Sequence, residues 1–354
     1  MKKIFPVLCK IAAVCIAFVL ILMLITPVFV PKFTEDFPTT LVINGFYELP
    51  EDSIDVLFLG SSQIMTSVSP MQIYETYGYT GYNLGTEQQN MVASYYLLRE
   101  VLAYQKLQVV FLDIMFLFPY AQDYPLNSRE EFVRKSIDCM KWSANKLAYV
   151  RTVCALDSEY EMSSYLFPFL RYHSRWADLT LKDFTYSFED KTNPLRGYAI
   201  ATRIEKEDQF SGFQLTGSSS MVETLPPMEE YFYKIVQLCE ENNISLVLFK
   251  TPKADGSFSE GCHNTIQNIA TEHNLDFIDF NEKSVYDAIH FDASTDYNDS
   301  THINYLGAYK ITGYLGDYLA EHYTLTDYRN VSDYENWNSD LQIYKEQIEQ
   351  APYQ

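Results

Sequence analysis

Two short motifs in this 354-residue chain carry side chains that could do chemistry together. Gly60-Ser61-Ser62 ends a short apolar run, and Asp299-Ser-Thr-His302 lies far later in a polar stretch. A serine hydroxyl is a weak nucleophile until a base takes its proton, and a histidine held by a carboxylate is such a base. A three-residue spacing lets Asp299 reach the ring of His302 within one turn. We therefore predict a catalytic triad of Ser62, Asp299 and His302.

An alternation of strands and helices is predicted to bring the two motifs together. The apolar run 55–60 is typical of a buried parallel strand. Further strands are predicted at or ending at 82–85, 108–115, 244–249 and 277–280, with helices at 71–77, about 89–105, about 229–241, about 265–273 and about 305–323. Functional groups collect at the carboxyl ends of strands in a parallel α/β sheet, so Ser62, Gly85 and the Asp299 loop should converge on one rim.

The alternation breaks between about residues 119 and 225, where aromatic-rich helical pieces show no regular strand partner. We interpret this stretch as an insertion into a single α/β domain of residues 54–324. An irregular stem at 33–53 is expected before the domain. An acidic tail at 325–354, which could form a helix, is expected after it.

The motifs and their order resemble the SGNH/GDSL hydrolase superfamily. Gly60-Ser61-Ser62 matches the first block of that family with serine in place of aspartate, Asn83-Leu84-Gly85 matches the second, and Asp299-Ser-Thr-His302 matches the last. The resemblance implies a flavodoxin-like three-layer αβα sandwich with a helical insertion. It also implies an oxyanion hole that uses the backbone amides of Ser62 and Gly85.

The third block of the family, Gly-x-Asn-Asp, has no counterpart here. The third predicted strand ends in Leu112-Asp113-Ile-Met115, and an ionised Asp113 cannot replace the asparagine as a hydrogen-bond donor. Gln88 or Asn90, which follow the second block, are the predicted substitutes. Each motif alone has a plain explanation, because a serine often caps a helix and Asp-x-x-His often lies in an exposed loop.

The Gly-Ser-Ser variant and an N-terminal anchor are also similar to the extracytoplasmic DltD proteins of teichoic-acid D-alanylation. This similarity implies removal or transfer of an acyl group on a cell-envelope polysaccharide or teichoic-acid-like polymer, through an acyl-Ser62 intermediate. A membrane O-acyltransferase is the implied partner. The missing asparagine leaves a second hypothesis open: a non-catalytic assembly factor or glycan-binding factor for an envelope-modification complex.

The anchor is a run of twenty uncharged residues from Ile11 to Val30, long enough to cross a bilayer as a helix. It exceeds the ~7–15 apolar residues of a signal peptide and lacks a small-x-small cleavage site, so we predict an uncleaved, single-pass anchor. Lys2, Lys3 and Lys10 precede it. The positive-inside rule therefore places the N-terminus in the cytoplasm and the domain outside.

Composition excludes some classes of function. The chain has 26 basic and 47 acidic residues and a formal net charge of −21, so it repels nucleic acid, and binding to nucleic acid is not expected. No His, Asp and Glu cluster has metal-ligand spacing, so neither a metal nor another cofactor is expected. The cysteines at 139, 154, 239 and 262 are compatible with free thiols or with a disulfide.

The insertion contains the run Arg171-Tyr-His-Ser-Arg-Trp176. Arg175 and Trp176 are predicted to grip an anionic or sugar substrate. The alternative is a helix start whose aromatic rings pack on the domain and whose arginines pair with surface acids. Lys250-Thr251-Pro252 ends the fourth predicted strand at the same rim, and we interpret it as a turn formed by proline.

Overall fold

The computed structural model describes residues 5–32, 37–121, 123–207 and 210–351. Five parallel strands form one sheet in the order β2-β1-β3-β4-β5, which is the strand order of flavodoxin-like doubly wound sheets. The strands are β1 Val56–Gly60, β2 Gly81–Gly85, β3 Val109–Asp113, β4 Ser245–Lys250 and β5 Asp276–Asp279. The predicted α/β class and parallel sheet are confirmed.

Helices precede, link and follow the strands. In chain order α1 to α15 are Phe5–Phe29, Thr39–Tyr47, Ser62–Ser67, Pro70–Tyr77, Met91–Val101, Glu130–Cys139, Ala144–Leu156, Met162–Leu166, Phe169–Tyr172, Leu181–Thr185, Pro226–Glu241, Glu260–His273, Lys283–Ala288, Tyr305–His322 and Glu335–Gln350. Short 3₁₀ turns occupy Met115–Leu117, His173–Ala177, Tyr186–Phe188 and Ser332–Tyr334.

The helices cover the sheet on both faces. The connection from β1 to β2 runs across the sheet in the opposite direction to the connection from β2 to β3, and right-handed crossovers therefore place α4 and α5 on opposite faces. Helix α4 packs with α14 and α15, whereas α5 packs with α7 and α11. Every residue of β1 is consequently buried, as its uninterrupted apolar sequence predicts.

The register of the sheet aligns the strand ends that carry the candidate site. Gly60 at the end of β1 pairs with Gly85 at the end of β2. On the other side Leu59 pairs with Leu112, so Asp113 ends β3 beside Gly60. The loops after these strands therefore leave the sheet at one rim, where parallel α/β sheets carry their functional groups.

The segment expected to be an irregular stem belongs to the domain. Within it α2 (Thr39–Tyr47) buries Val42, Ile43 and Phe46 in the core. The hydroxyl of Tyr82 on β2 donates a 2.6 Å hydrogen bond to the carbonyl oxygen of Val42. These three apolar side chains lie on one face of a helix, and the burial of that face outweighs the neighbouring proline that suggested an irregular chain.

The ends of the chain differ in character. Among the described residues one helix, Val7–Phe29 within α1, is long and apolar enough to cross a membrane. The expected acidic tail forms α15, which packs on α4 and buries Trp337, Leu341 and Tyr344. Between these ends the insertion contributes α6 to α10, and the cysteines of the described part of the chain are free thiols.

Candidate active site

The structure brings Ser62, Asp299 and His302 into one hydrogen-bonded chain. Ser62 is the first residue of α3, directly after β1. Its Oγ lies 2.9 Å from Nε2 of His302. On the other side of the ring, Nδ1 lies 2.9 and 3.0 Å from the two carboxylate oxygens of Asp299. Two motifs that are remote in sequence thus form the arrangement that the nucleophile–base–carboxylate chemistry requires.

The carboxylate of Asp299 is held by several donors. The backbone amides of Thr301 and His302 each donate to it at 2.9 Å, and the side-chain amide of Asn298 donates at 3.1 Å. Burial alone raises the pKa of Asp299, but the His302 imidazole and these donors outweigh burial and lower that pKa well below its usual range. Asp299 is therefore ionised at neutral pH.

The ionised carboxylate fixes the tautomer of the histidine. A carboxylate can only accept hydrogen bonds, so Nδ1 of His302 must carry the proton that bridges to Asp299. In the neutral ring Nε2 then has a free lone pair, and the hydroxyl of Ser62 donates to it. This is the protonation state in which the histidine can act as a general base toward the serine.

A narrow cleft of about 90 Å³ opens above Ser62 and His302. Its walls include the aromatic rings of Phe37, Phe116 and Tyr120. Phe37 comes from the former stem segment, and its ring centroid lies 4.5 Å from that of His302, with the two rings tilted by 34°. His302 is therefore packed against an aromatic side chain from the segment that joins α1 to the domain.

Gly85, the predicted oxyanion donor of the second block, has a different bonding pattern. Its backbone amide donates to the side-chain oxygen of Asn83 at 3.1 Å, and Gly85 does not line the cleft. A Cβ atom at this position would lie 2.8 Å from the carbonyl oxygen of Ser61 and 2.9 Å from the amide of Met65. The structure thus requires glycine here for the close approach of β2 to α3.

Asn90 and Gln88, the two predicted substitute donors, differ in their position relative to the cleft. Asn90 caps α5: its side-chain oxygen accepts from the amide of Ala93 at 2.9 Å, and its NH₂ group donates to the carbonyl of Leu126 at 2.8 Å. The side chain of Asn90 is fully used and buried, so it cannot reach a substrate. Gln88 lines the cleft, and its side-chain oxygen accepts from Ser128 at 3.4 Å, which leaves its NH₂ group as a donor.

A second amide at the cleft was not predicted from the sequence. Gln63, the residue after Ser62, lines the cleft, and its side-chain oxygen accepts a 2.6 Å hydrogen bond from Nζ of Lys250. An ammonium group can only donate, so the oxygen of Gln63 must face Lys250 and the NH₂ group must point the other way. Within the described part of the chain that NH₂ group makes no hydrogen bond. It is also not among the fully buried polar atoms that lack a partner, so it is accessible from the cleft.

Lys250 is fully buried beneath the site. Besides Gln63 it donates to the carbonyl and hydroxyl oxygens of Thr251, at 3.2 and 3.0 Å. Asp113 lies 3.8 Å away and is its counter-ion. Burial lowers the pKa of Lys250 to about 8, while Asp113 opposes that shift. The turn interpretation of Lys250-Thr251-Pro252 thus missed a buried charge that contacts Gln63, the residue after Ser62.

Arg175 and Trp176, the predicted substrate-binding residues, lie away from the cleft. The guanidinium of Arg175 donates to the carbonyl oxygen of Phe29 at the end of α1 and to Asp183 at 3.1 Å. The side chain of Trp176 is 73% exposed. Arg175 pairs with an acid, as the alternative expected, but the exposed ring of Trp176 does not pack on the domain. The insertion packs instead against α1.

The chain matches none of the known protein-family models, and no curated protein matches its sequence.

Proposed function

We propose that the protein is an extracytoplasmic serine esterase or O-acyltransferase of the SGNH type, acting on acyl groups of a cell-envelope glycopolymer. The observation that carries this proposal is the continuous hydrogen-bonded chain from Ser62 through His302 to an ionised Asp299. The motif resemblance and the 2-1-3-4-5 strand order agree with it.

The reaction follows from the protonation states. The Ser62 oxygen attacks an ester carbonyl while its proton moves to Nε2 of His302, and the resulting imidazolium is stabilised by Asp299. Collapse of the tetrahedral adduct breaks the bond to the leaving alkoxide, which takes the proton from His302 and departs as an alcohol. The acyl group then rests on Ser62. Attack by water releases a free acid, and attack by a sugar or polyol hydroxyl completes a transfer.

The oxyanion formed on attack needs hydrogen-bond donors beside Ser62. We assign this role to the backbone amide of Ser62 and to the side-chain NH₂ group of Gln63, with Gln88 as the neighbouring alternative. Lys250 fixes the orientation of Gln63, so the donor is in place before the substrate arrives. Each such donor contributes about 2.7–4 kcal/mol in the transition state.

The predicted anchor supports the proposed substrate class. Helix α1, placed with its N-terminus in the cytoplasm, would hold the cleft close to the outer surface of the membrane, where lipid-linked and wall-linked glycopolymers carry acyl esters. In a transfer reaction a membrane O-acyltransferase partner would deliver the acyl group.

The test uses the full chain in detergent with a fluorophosphonate probe that reacts only with activated serines. We expect wild type to be labelled and Ser62→Ala and His302→Ala to be unlabelled. Ser300→Ala is the matched control, because it removes an exposed hydroxyl from the loop that carries Asp299 and His302 and should leave labelling intact. An unlabelled wild type, under conditions that label a reference hydrolase, would favour the non-catalytic assembly or glycan-binding factor.

A further inference from the structure

The large apolar side chains that stay exposed are concentrated in one part of the insertion. Outside α1, fifteen such side chains are exposed among the described residues, and eight of them lie between positions 142 and 188. We call these eight the apolar platform: Trp142, Met162, Phe167, Leu170, Trp176, Leu181, Phe184 and Phe188. Three of them are largely exposed to solvent: Trp176 by 73%, Leu181 by 79% and Phe188 by 90%. A patch of this kind marks an interaction surface.

The platform lies beside the end of the anchor helix. The ring of Phe29, the last residue of α1, packs edge-on against Phe169 in α9, with the centroids 5.0 Å apart. Arg175 donates to the carbonyl oxygen of Phe29 and pairs with Asp183 in α10. Helix α1 contacts both α9 and α10. Helices α9 and α10, which carry Leu170, Leu181 and Phe184 of the platform, thus pack against the end of α1.

Two platform residues also lie beside the outer end of α1. A cavity of about 530 Å³ is lined by Pro27 and Val30 at that end and by Trp142 and Phe167 of the insertion. Trp142 and Phe167 therefore lie next to the part of α1 at which the chain would leave the membrane.

Charge on the platform differs from that of the whole chain. Residues 142–188 hold five basic and five acidic residues, a balance of 0 against −21 for the whole chain; the basic residues are Lys146, Arg151, Arg171, Arg175 and Lys182, and the acidic ones are Asp157, Glu159, Glu161, Asp178 and Asp183. The segment is thus free of the acidic excess that would repel anionic lipid head groups. Aromatic and leucine side chains with interspersed basic groups are the composition of helices that lie in a membrane interface.

We propose that the apolar platform is inserted in the interfacial region of the leaflet through which α1 leaves the membrane. The partner is the lipid bilayer itself, because the surface is continuous with the anchor helix that the bilayer encloses. The α/β domain is then fixed against the membrane at two places, and its cleft has a defined orientation. This inference rests on α1 lying in a membrane and does not depend on the proposed ester chemistry.

Tryptophan fluorescence tests this placement in the full chain. The protein has three tryptophans: Trp142 and Trp176 on the platform, and Trp337, which is buried against Tyr74 and Arg196. Wild type, Trp142→Phe, Trp176→Phe and the double variant would be placed in nanodiscs of phosphatidylcholine and phosphatidylglycerol, with plain or brominated acyl chains. The double variant reports Trp337 alone and is the internal reference.

We expect brominated lipid to reduce the emission of Trp142 and Trp176 by about twofold or more, because interfacial rings contact acyl chains. The double variant should emit equally from both lipids. Equal emission of wild type from both lipids would overturn the proposal and assign the patch to a protein partner.

A second set of variants separates the platform from α1. Leu181→Ser, Phe184→Ser and Phe188→Ser together should weaken the quenching of Trp142 and Trp176. The control combines Leu215→Ser, Met221→Ser and Tyr309→Ser, which are exposed apolar residues elsewhere, and should leave the quenching as in wild type. An equal response of both triple variants would also contradict the proposal.

Discussion

Lys250 donates a 2.6 Å hydrogen bond to the side-chain oxygen of Gln63, the residue that follows the candidate nucleophile. The bond crosses from the end of β4 to the start of α3. It decides which end of the Gln63 amide faces the cleft, because the ammonium group accepts no hydrogen bond. The buried Lys250 thereby orients the NH₂ group of Gln63 beside Ser62. This chain lacks the asparagine of the third block, which is the corresponding donor in the SGNH/GDSL pattern.

The role of Gln63 is tested by Gln63→Glu. The glutamate keeps an acceptor for Lys250 but loses the NH₂ donor, so we expect kcat on an ester substrate to fall about 10²–10³-fold with little change in KM. Thermal unfolding of the variant should match that of wild type. Gln88→Glu is the matched control at the other cleft amide. A loss confined to Gln88→Glu would move the donor role to Gln88.

The carboxylate of Asp299 is tested by Asp299→Asn. The amide fills the same space but can present its NH₂ group to Nδ1 of His302, which favours the wrong tautomer. We expect kcat to fall by about 10³–10⁴-fold, as for the equivalent change in a serine protease triad. Asp292→Asn, in the same loop region, should leave kcat unchanged. Activity of Asp299→Asn near that of wild type would remove Asp299 from the mechanism.

Lys250 also predicts a pH dependence of stability. Its pKa is 10.5 in an unfolded chain and about 8 when buried here. Between these values the unfolded state holds more protons, so this ionisation adds stability as the pH rises from about 8 toward 10.5, and the added stability is lost as the pH falls through about 8. Lys250→Met abolishes this dependence.

The measurement compares denaturant unfolding of wild type and Lys250→Met at several pH values. At pH 7 the variant should be less stable by about 3–5 kcal/mol, because Asp113 loses its counter-ion. The gap should widen by about 1 kcal/mol per pH unit above pH 8. A gap that stays constant from pH 8 to pH 10 would contradict the assigned ionisation.

Phe37 is expected to support His302, the proposed general base. Its ring packs 4.5 Å from the ring of His302, and an aromatic pair contributes about 0.5–1.5 kcal/mol. Phe37→Ala should therefore lower kcat up to about tenfold, since the imidazole loses its packing partner, and Phe37→Tyr should retain most of the activity. Steady-state rates on a soluble ester report the effect. Identical rates for Phe37→Ala and wild type would show that the ring does not hold His302.

The sequence was sufficient for the sheet and for the position of the triad. Apolar runs marked the buried strands, and the ends of those strands located Ser62. The Asp299 to His302 spacing is local, so it too could be recognised without a structure. The helical pattern of Val42, Ile43 and Phe46 was also present in the sequence. The adjacent proline nevertheless favoured the prediction of an irregular stem.

Other parts of the site depend on contacts between residues that are far apart in the sequence, and sequence patterns do not reveal such contacts. The pairing of Lys250 with Gln63 joins residues that are neighbours only after β1 and β4 take their places around β3. Asn90 did carry a local signal, since an asparagine before an apolar helical run is a common cap. Arg175 was misassigned because its partners, Phe29 and Asp183, belong to the anchor helix and to a later helix.

The chain between the end of α1 and Phe37 is short, and its length limits how far the candidate site can lie from α1. Phe37 follows Phe29 by eight residues, which even a fully stretched chain extends by only about 26–29 Å. The ring of Phe37 packs on that of His302, so Ser62 stays within a few nanometres of the end of α1. If the proposed substrate is a long polymer that rises from the membrane, the cleft therefore reaches only the units nearest the lipid, and a distant acyl group would have to be brought to it.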